Sequence, residues 1–174
     1  MTTSTTKATN VLGYGLFVIF VSFVVTSAAA GQRSLDDVNA TGPDGSTALL
    51  GAADRDDAAR AEALIRAGAN VNAANEYGAT PLYVAAANGN AALVTLLLKA
   101  QADPNLPLLS GETPLMTAVD KGHVDVVRAL LAHGASVNAR ESKGGQDALM
   151  WAAAGRHAAI VTLLVEAGAD VHAR

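Results

Sequence analysis

The sequence predicts an all-α repeat solenoid of about four helix–turn–helix units with β-turn tips, preceded by an N-terminal signal or anchor segment. Three observations predict it. Gly45-Ser-Thr-Ala-Leu49, Gly78-Ala-Thr-Pro-Leu82, Gly111-Glu-Thr-Pro-Leu115 and Gly145-Gln-Asp-Ala-Leu149 begin at offsets of 33, 33 and 34 residues. A second landmark keeps the same offsets: Gly68-Ala-Asn-Val-Asn72, Gln101-Ala-Asp-Pro-Asn105, Gly134-Ala-Ser-Val-Asn138 and Gly168-Ala-Asp-Val-His172. Two landmarks that hold one register over three intervals mark stacked units that bury their apolar faces on one another. Third, hydrophobic residues make up 51% of the chain but aromatic residues only 4%. Such an aliphatic core suits closely packed helices better than a β-sandwich.

The first thirty residues stand apart. Met1–Asn10 is polar and carries one positive charge, Lys7. Val11–Val25 is an apolar run of 15 residues, and small residues follow at Ala28-Ala29-Ala30-Gly31. This order is that of a secretory signal peptide, with Ala28 and Ala30 at the cleavage site and Gly31 as the first mature residue. The alternative is an uncleaved anchor, because residues 11–30 are uncharged and just long enough to span a bilayer core. In both readings the positive end stays inside and the body is exported, to the periplasm or the medium, or held at the membrane by residues 11–30.

Residues 31–44 read as an N-terminal partial repeat, since Val38-Asn39-Ala40 lies 33 residues before Val71-Asn72-Ala73. Four repeats follow, at about 45–77, 78–110, 111–144 and 145–174. In the last three, an N-cap residue opens the first helix: Thr80 and Thr113, with Pro81 and Pro114 at the first helical position, and Asp147 in the last unit. The expected first helices are Ala48–Arg55, Pro81–Asn88, Pro114–Lys121 and Ala148–Gly155. The expected second helices are Ala58–Ala67, Ala91–Ala100, Val124–His133 and Ala158–Ala167, with apolar residues at helical spacing. Alanines in the first helices, such as Ala52-Ala53 and Ala85-Ala86-Ala87, let neighbours approach closely. Gly68, Gly134 and Gly168 end second helices in the left-handed conformation.

These residues resemble the ankyrin-repeat family, whose pattern is a turn, a T-P-L-H-x-A helix start, a second helix and a G-A-D-V-N ending. The resemblance covers Gly45–Arg174. It implies a scaffold that binds another protein, and the chain also resembles small exported bacterial ankyrin-repeat proteins. Some of those are accessory factors for oxidative-stress enzymes, which is one role the resemblance allows. The departures are informative. Gln101 occupies the slot of the terminating glycine, and so must take a costly conformation or distort the turn. Arg60 stands where later repeats have Leu93, Val126 and Ile160, as suits a polar outer face. The last repeat keeps Ile160, Val161, Leu163, Leu164 and Val165, like an internal unit. That leaves self-association through an uncapped C-terminal face as an alternative function.

No enzyme chemistry is expected. The chain has no cysteine, which excludes disulfides, thiolate metal sites and a cysteine nucleophile. The four histidines make no His-x-x-x-His or His-Glu-x-x-His pair, and His123 and His157 share one slot of consecutive repeats. Asp54-Arg55-Asp56-Asp57 lacks the glycine and terminal glutamate of a calcium loop. No Gly-x-Ser-x-Gly elbow or phosphate-binding loop is present. No catalytic, metal or cofactor residue is therefore assigned, and no cofactor is expected. Formal charge is −4, and Lys7 is the one charge before residue 31, which leaves −5 for the body. An acidic body without a basic stripe excludes non-specific nucleic-acid binding. Membrane contact is expected only through the N-terminal segment, if it is uncleaved.

The resemblance implies a concave face formed by the turn tips and the first helices. By register that face carries Tyr77, Leu108, Leu109 and Trp151, which are large and apolar where solvent is expected. Trp151 is the only tryptophan. These four are the candidate anchors for a partner protein, with Glu76, Glu112 and Lys143 as their polar rim. The other reading of Trp151 is that it covers the end of the stack.

Overall fold

In the computed structural model, residues 38–173 are described. The expected leader, with Ala28, Ala30 and Gly31, lies outside the described residues. Four helix pairs follow one another: α1 (Ala48–Asp54) with α2 (Ala58–Arg66), α3 (Pro81–Asn88) with α4 (Ala91–Lys99), α5 (Pro114–Asp120) with α6 (Val124–Ala132), and α7 (Ala148–Ala154) with α8 (Ala158–Glu166). Each first helix packs on the next first helix, and each second helix on the next second helix. Among the described residues no helix is long and apolar enough to cross a membrane.

Helix starts are fixed by side-chain caps. Thr47, Thr80 and Thr113 accept from the backbone N–H of Leu50, Tyr83 and Met116 at 3.2, 3.2 and 3.3 Å, and Asp147 accepts from Met150 at 2.9 Å. All four caps are buried, so the bond replaces one that water cannot supply. Asp57 and Asn90 cap α2 and α4 in the same way. His123 and His157 hold the equivalent positions before α6 and α8 but make no cap bond. Their Nε2 atoms instead lie 3.2 Å from the Ala87 carbonyl and 3.4 Å from the Asp120 carbonyl, each in the preceding repeat.

The core is one continuous aliphatic cluster. Leu82, Leu93, Leu97, Leu130, Ile160 and Leu164 are fully buried, as are the alanines Ala52, Ala53, Ala85 and Ala86. Arg60 is exposed at the slot where Leu93, Val126 and Ile160 are buried. Two hydrogen-bond ladders tie the repeats together along the chain. In the first, Asn39, Asn72, Asn105 and Asn138 each accept from the backbone N–H of Asn70, Asp103, Ser136 and Asp170 at 2.7–2.8 Å. The same side chains donate to the carbonyls of Gly68, Gln101, Gly134 and Gly168 at 3.1–3.4 Å. In the second, each turn tip bonds the one before it: Glu76 N–H to Asp44 O at 3.0 Å, Leu109 N–H to Tyr77 O at 3.1 Å and Ser142 N–H to Ser110 O at 2.9 Å.

Gln101 takes the left-handed conformation (φ 69°) beside Gly68, Gly134 and Gly168 at 89°, 84° and 89°. The turn is therefore undistorted and the strain is borne by the backbone of Gln101. Gln101→Gly is expected to stabilise the fold by about 1 kcal/mol, read as a rise in the urea midpoint. Gly134→Gln should lower it by a similar amount, because a Cβ at Gly134 meets nothing within 4 Å and only the dihedral angle is penalised. Unchanged midpoints in both would show that this angle carries no strain. Two further residues share the conformation, Asp56 (φ 55°) and Arg156 (φ 57°), in the slot of Gly89 and Gly122. The middle repeats require glycine for a second reason. A Cβ would lie 2.6 Å from the His123 ring at Gly89 and 2.9 Å from the His157 ring at Gly122. At Asp56 the following repeat presents Asn90, whose amide donates to the Asp56 carboxylate at 3.2 Å.

Candidate protein-binding surface

The tip ladder sets the spacing of one half of this surface. Tyr77 is 62% and Leu109 79% exposed, and the bond from Leu109 N–H to Tyr77 O makes them neighbours on adjacent tips. Leu108 is only half-buried, and its N–H closes its own turn onto the Glu112 carbonyl at 2.9 Å. Glu76 is exposed, and its hydrogen bond to the Tyr77 phenol holds that phenol above its ordinary pKa.

The other half lies against the first helices of the last repeats. A cavity of about 720 Å³ opens between Tyr83 of α3, Glu112, Thr117 and Lys121 in the third repeat, and Gln146 and Trp151 in the fourth. A smaller one of about 200 Å³ adjoins it, and Glu112 and Trp151 line both; Ser110, Glu141 and Lys143 complete the second. Trp151 is half-buried, packs against the core and donates its indole N–H to Gln146 Oε1 at 3.2 Å. The structure thus brings Glu112, Lys143 and Trp151 to one place, while Tyr77, Leu108 and Leu109 line neither cavity.

The polar groups here are held firmly. Glu141 accepts from the backbone N–H groups of Lys143 at 2.5 Å, Gly144 at 2.6 Å and Gln146 at 3.1 Å. Those bonds, led by that from Lys143, lower its pKa below the ordinary carboxylate value and fix the tip that carries Lys143. Tyr83 Oη donates to Glu112 Oε1 at 2.9 Å, and the Thr117 hydroxyl lies 3.4 Å from Tyr83 Oη. Burial, aided by the bond to Glu112, pushes the Tyr83 phenol up to about 12. Because the folded value is raised, this contribution to stability is complete below the ordinary tyrosine pKa of about 10 and is lost as pH rises towards 12. Wild type is therefore expected to lose more stability than Tyr83→Phe between pH 10 and pH 12. Parallel midpoint–pH curves for the two would contradict the raised value.

Tyr83, Gln146, Asp120 and Lys121 were not singled out from the sequence, yet Tyr83 had a signal. It is the one polar-tipped residue in a register otherwise filled by Leu50, Met116 and Met150. Among the described residues, no three histidine, aspartate or glutamate side chains converge as an ion would need.

Helix pairs at a 33-residue period, threonine caps and an inter-repeat asparagine ladder define the scaffold, and comparison with protein-family models decides its kinship. A model described as ankyrin repeats (3 copies) matches residues 22–107 and again 101–174. The chain belongs to the ankyrin-repeat family. Ankyrin repeats are in general protein-interaction modules, and the family is typically non-enzymatic. The repeats are accordingly those of a protein-interaction scaffold. No curated protein matches the chain closely enough to be counted a relative.

Proposed function

We propose that this ankyrin-repeat protein is an exported adaptor that grips one protein of the cell envelope through its tips and first helices. The observation that carries the reading is the pair Tyr77 and Leu109, large side chains 62% and 79% exposed on adjacent tips, in the repeats next to the Trp151 cavity. Monomeric surfaces rarely leave such residues together without a use, and aromatic anchors with aliphatic neighbours are typical binding hot spots. In this reading Tyr77, Leu108, Leu109 and Trp151 are the anchors, and Glu76, Glu112 and Lys143 the rim. Affinity capture from envelope extract, with wild type and Leu109→Ala as baits, tests it. One protein retained by wild type and lost by the variant is expected; equal retention overturns the assignment.

Export rests on the order of Lys7, the apolar run Val11–Val25 and the small residues to Gly31. If the leader is cleaved, the intact mass of the exported protein corresponds to a chain beginning at Gly31. Full-length protein that resists carbonate extraction from membranes would establish the anchor instead.

A second reading has its own observation. Val165 and Val171 of the last repeat are 45% and 58% exposed, and pairing of this face with a second copy would cover them. Light scattering at micromolar concentration separates the two: a discrete dimer supports self-association, and a monomer the adaptor.

A further inference from the structure

We propose that the cavity between Tyr83, Glu112 and Trp151 receives an arginine side chain of the partner protein. The inference rests on the adaptor reading and names the chemistry that this cavity selects. Three carboxylates surround the two adjoining cavities, and two of them are already satisfied. Asp120 forms an ion pair with Lys121 at 3.2 Å. Glu141 lines only the smaller cavity, where Lys143 stands in the same wall, and both its oxygens are taken by backbone N–H groups of its own tip. Glu112 is different. It is half-buried, and among the described residues the one hydrogen bond to its carboxylate is that from the Tyr83 hydroxyl to Oε1. A neutral donor orients a carboxylate without cancelling its charge, so the larger cavity keeps one uncompensated negative charge in its wall.

Beside that charge stands Trp151, which lines both cavities with Glu112. Tryptophan is the aromatic that best attracts a cation, and a guanidinium stacks on such rings while its remaining N–H groups reach a carboxylate. Lysine offers a compact, strongly hydrated charge and no flat face for the indole, so arginine fits better. The cavity, at about 720 Å³, falls within the range that encloses a drug-sized ligand. It has room for the arginine and part of the neighbouring chain. The acidic balance of the body, −5 outside the first thirty residues, also favours the approach of a basic segment.

The test uses Trp151 itself as the reporter, because the chain has a single tryptophan. Full-length protein is titrated with acetyl-Gly-Ala-Arg-Ala-Gly-amide, with the same peptide carrying citrulline in place of arginine, and with one carrying glutamate. Citrulline keeps the shape of arginine and removes its charge. A saturable change in emission is expected with the arginine peptide, weakened about tenfold by citrulline or by Glu112→Gln. The glutamine keeps an acceptor for Tyr83, and circular dichroism checks that the variant is folded. Absence of a saturable response to the arginine peptide overturns the proposal, as does equal binding of the citrulline peptide or an unchanged Glu112→Gln variant. Tighter binding of the glutamate peptide would also overturn it and place recognition on Lys121. Its failure is distinguishable from failure of the adaptor reading. Capture of the partner lost in Leu109→Ala but intact in Glu112→Gln would sink the arginine assignment alone.

Discussion

Leu109→Ala and Trp151→Ala are each expected to weaken binding of the captured partner by about 2 kcal/mol or more, the usual cost of truncating a central anchor. Glu76→Ala and Lys143→Ala, at the exposed rim, should change it by much less. The two anchor variants differ in what else they disturb. Leu109 is 79% exposed and is held only through its backbone, so its truncation leaves the unfolding midpoint in place. Trp151 packs against the core and bonds Gln146, so its truncation lowers the midpoint as well as the affinity. Titration calorimetry with the purified partner, alongside urea melts, separates these effects. If both variants unfold early, the side chains serve the core; if both stay folded and bind as wild type does, the contact lies elsewhere.

Leu97→Ala is expected to cost the fold about 2–5 kcal/mol, the range for emptying a buried leucine site. Leu97 has no exposure and lies in α4, whose neighbours on either side are α2 and α6. In a stack each unit is stabilised by its own packing and by its two interfaces, so a void here weakens both at once. Lys99→Ala, at the exposed end of the same helix, should shift stability by less than about 0.5 kcal/mol. Comparable urea midpoints for the two variants would contradict the core described here.

What the sequence made legible follows from where its signals reside. The helices were expected within one residue of where they lie, because their starts depend on local chemistry: Thr80, Thr113 and Asp147 cap from three residues away. The strain at Gln101 was legible for the same reason, as a misfit within a repeating slot. Asp56 and Arg156, in the slot of Gly89 and Gly122, are misfits of the same kind that the sequence reading passed over; what only stacking reveals is the neighbour each slot meets, a histidine ring at Gly89 and Gly122 and Asn90 at Asp56. The asparagines were visible as a period but not as a ladder, since each bonds residues about thirty positions away. The cavity was the least legible feature. Tyr83, Glu112 and Trp151 belong to three different repeats, and only stacking brings them together. Leu108 and Leu109 look alike in sequence, yet one is half-buried and the other exposed, a difference that the tip geometry sets.

Hydrogen exchange of the ankyrin domain, free and bound to the captured partner, tests the central claim most directly. Binding through tips and first helices predicts slowed exchange at residues 75–78, 108–112 and 141–146 and along α7, with α8 unchanged. Protection confined to α8 and the segment around Val171, with the tips exchanging as in the free protein, would contradict it.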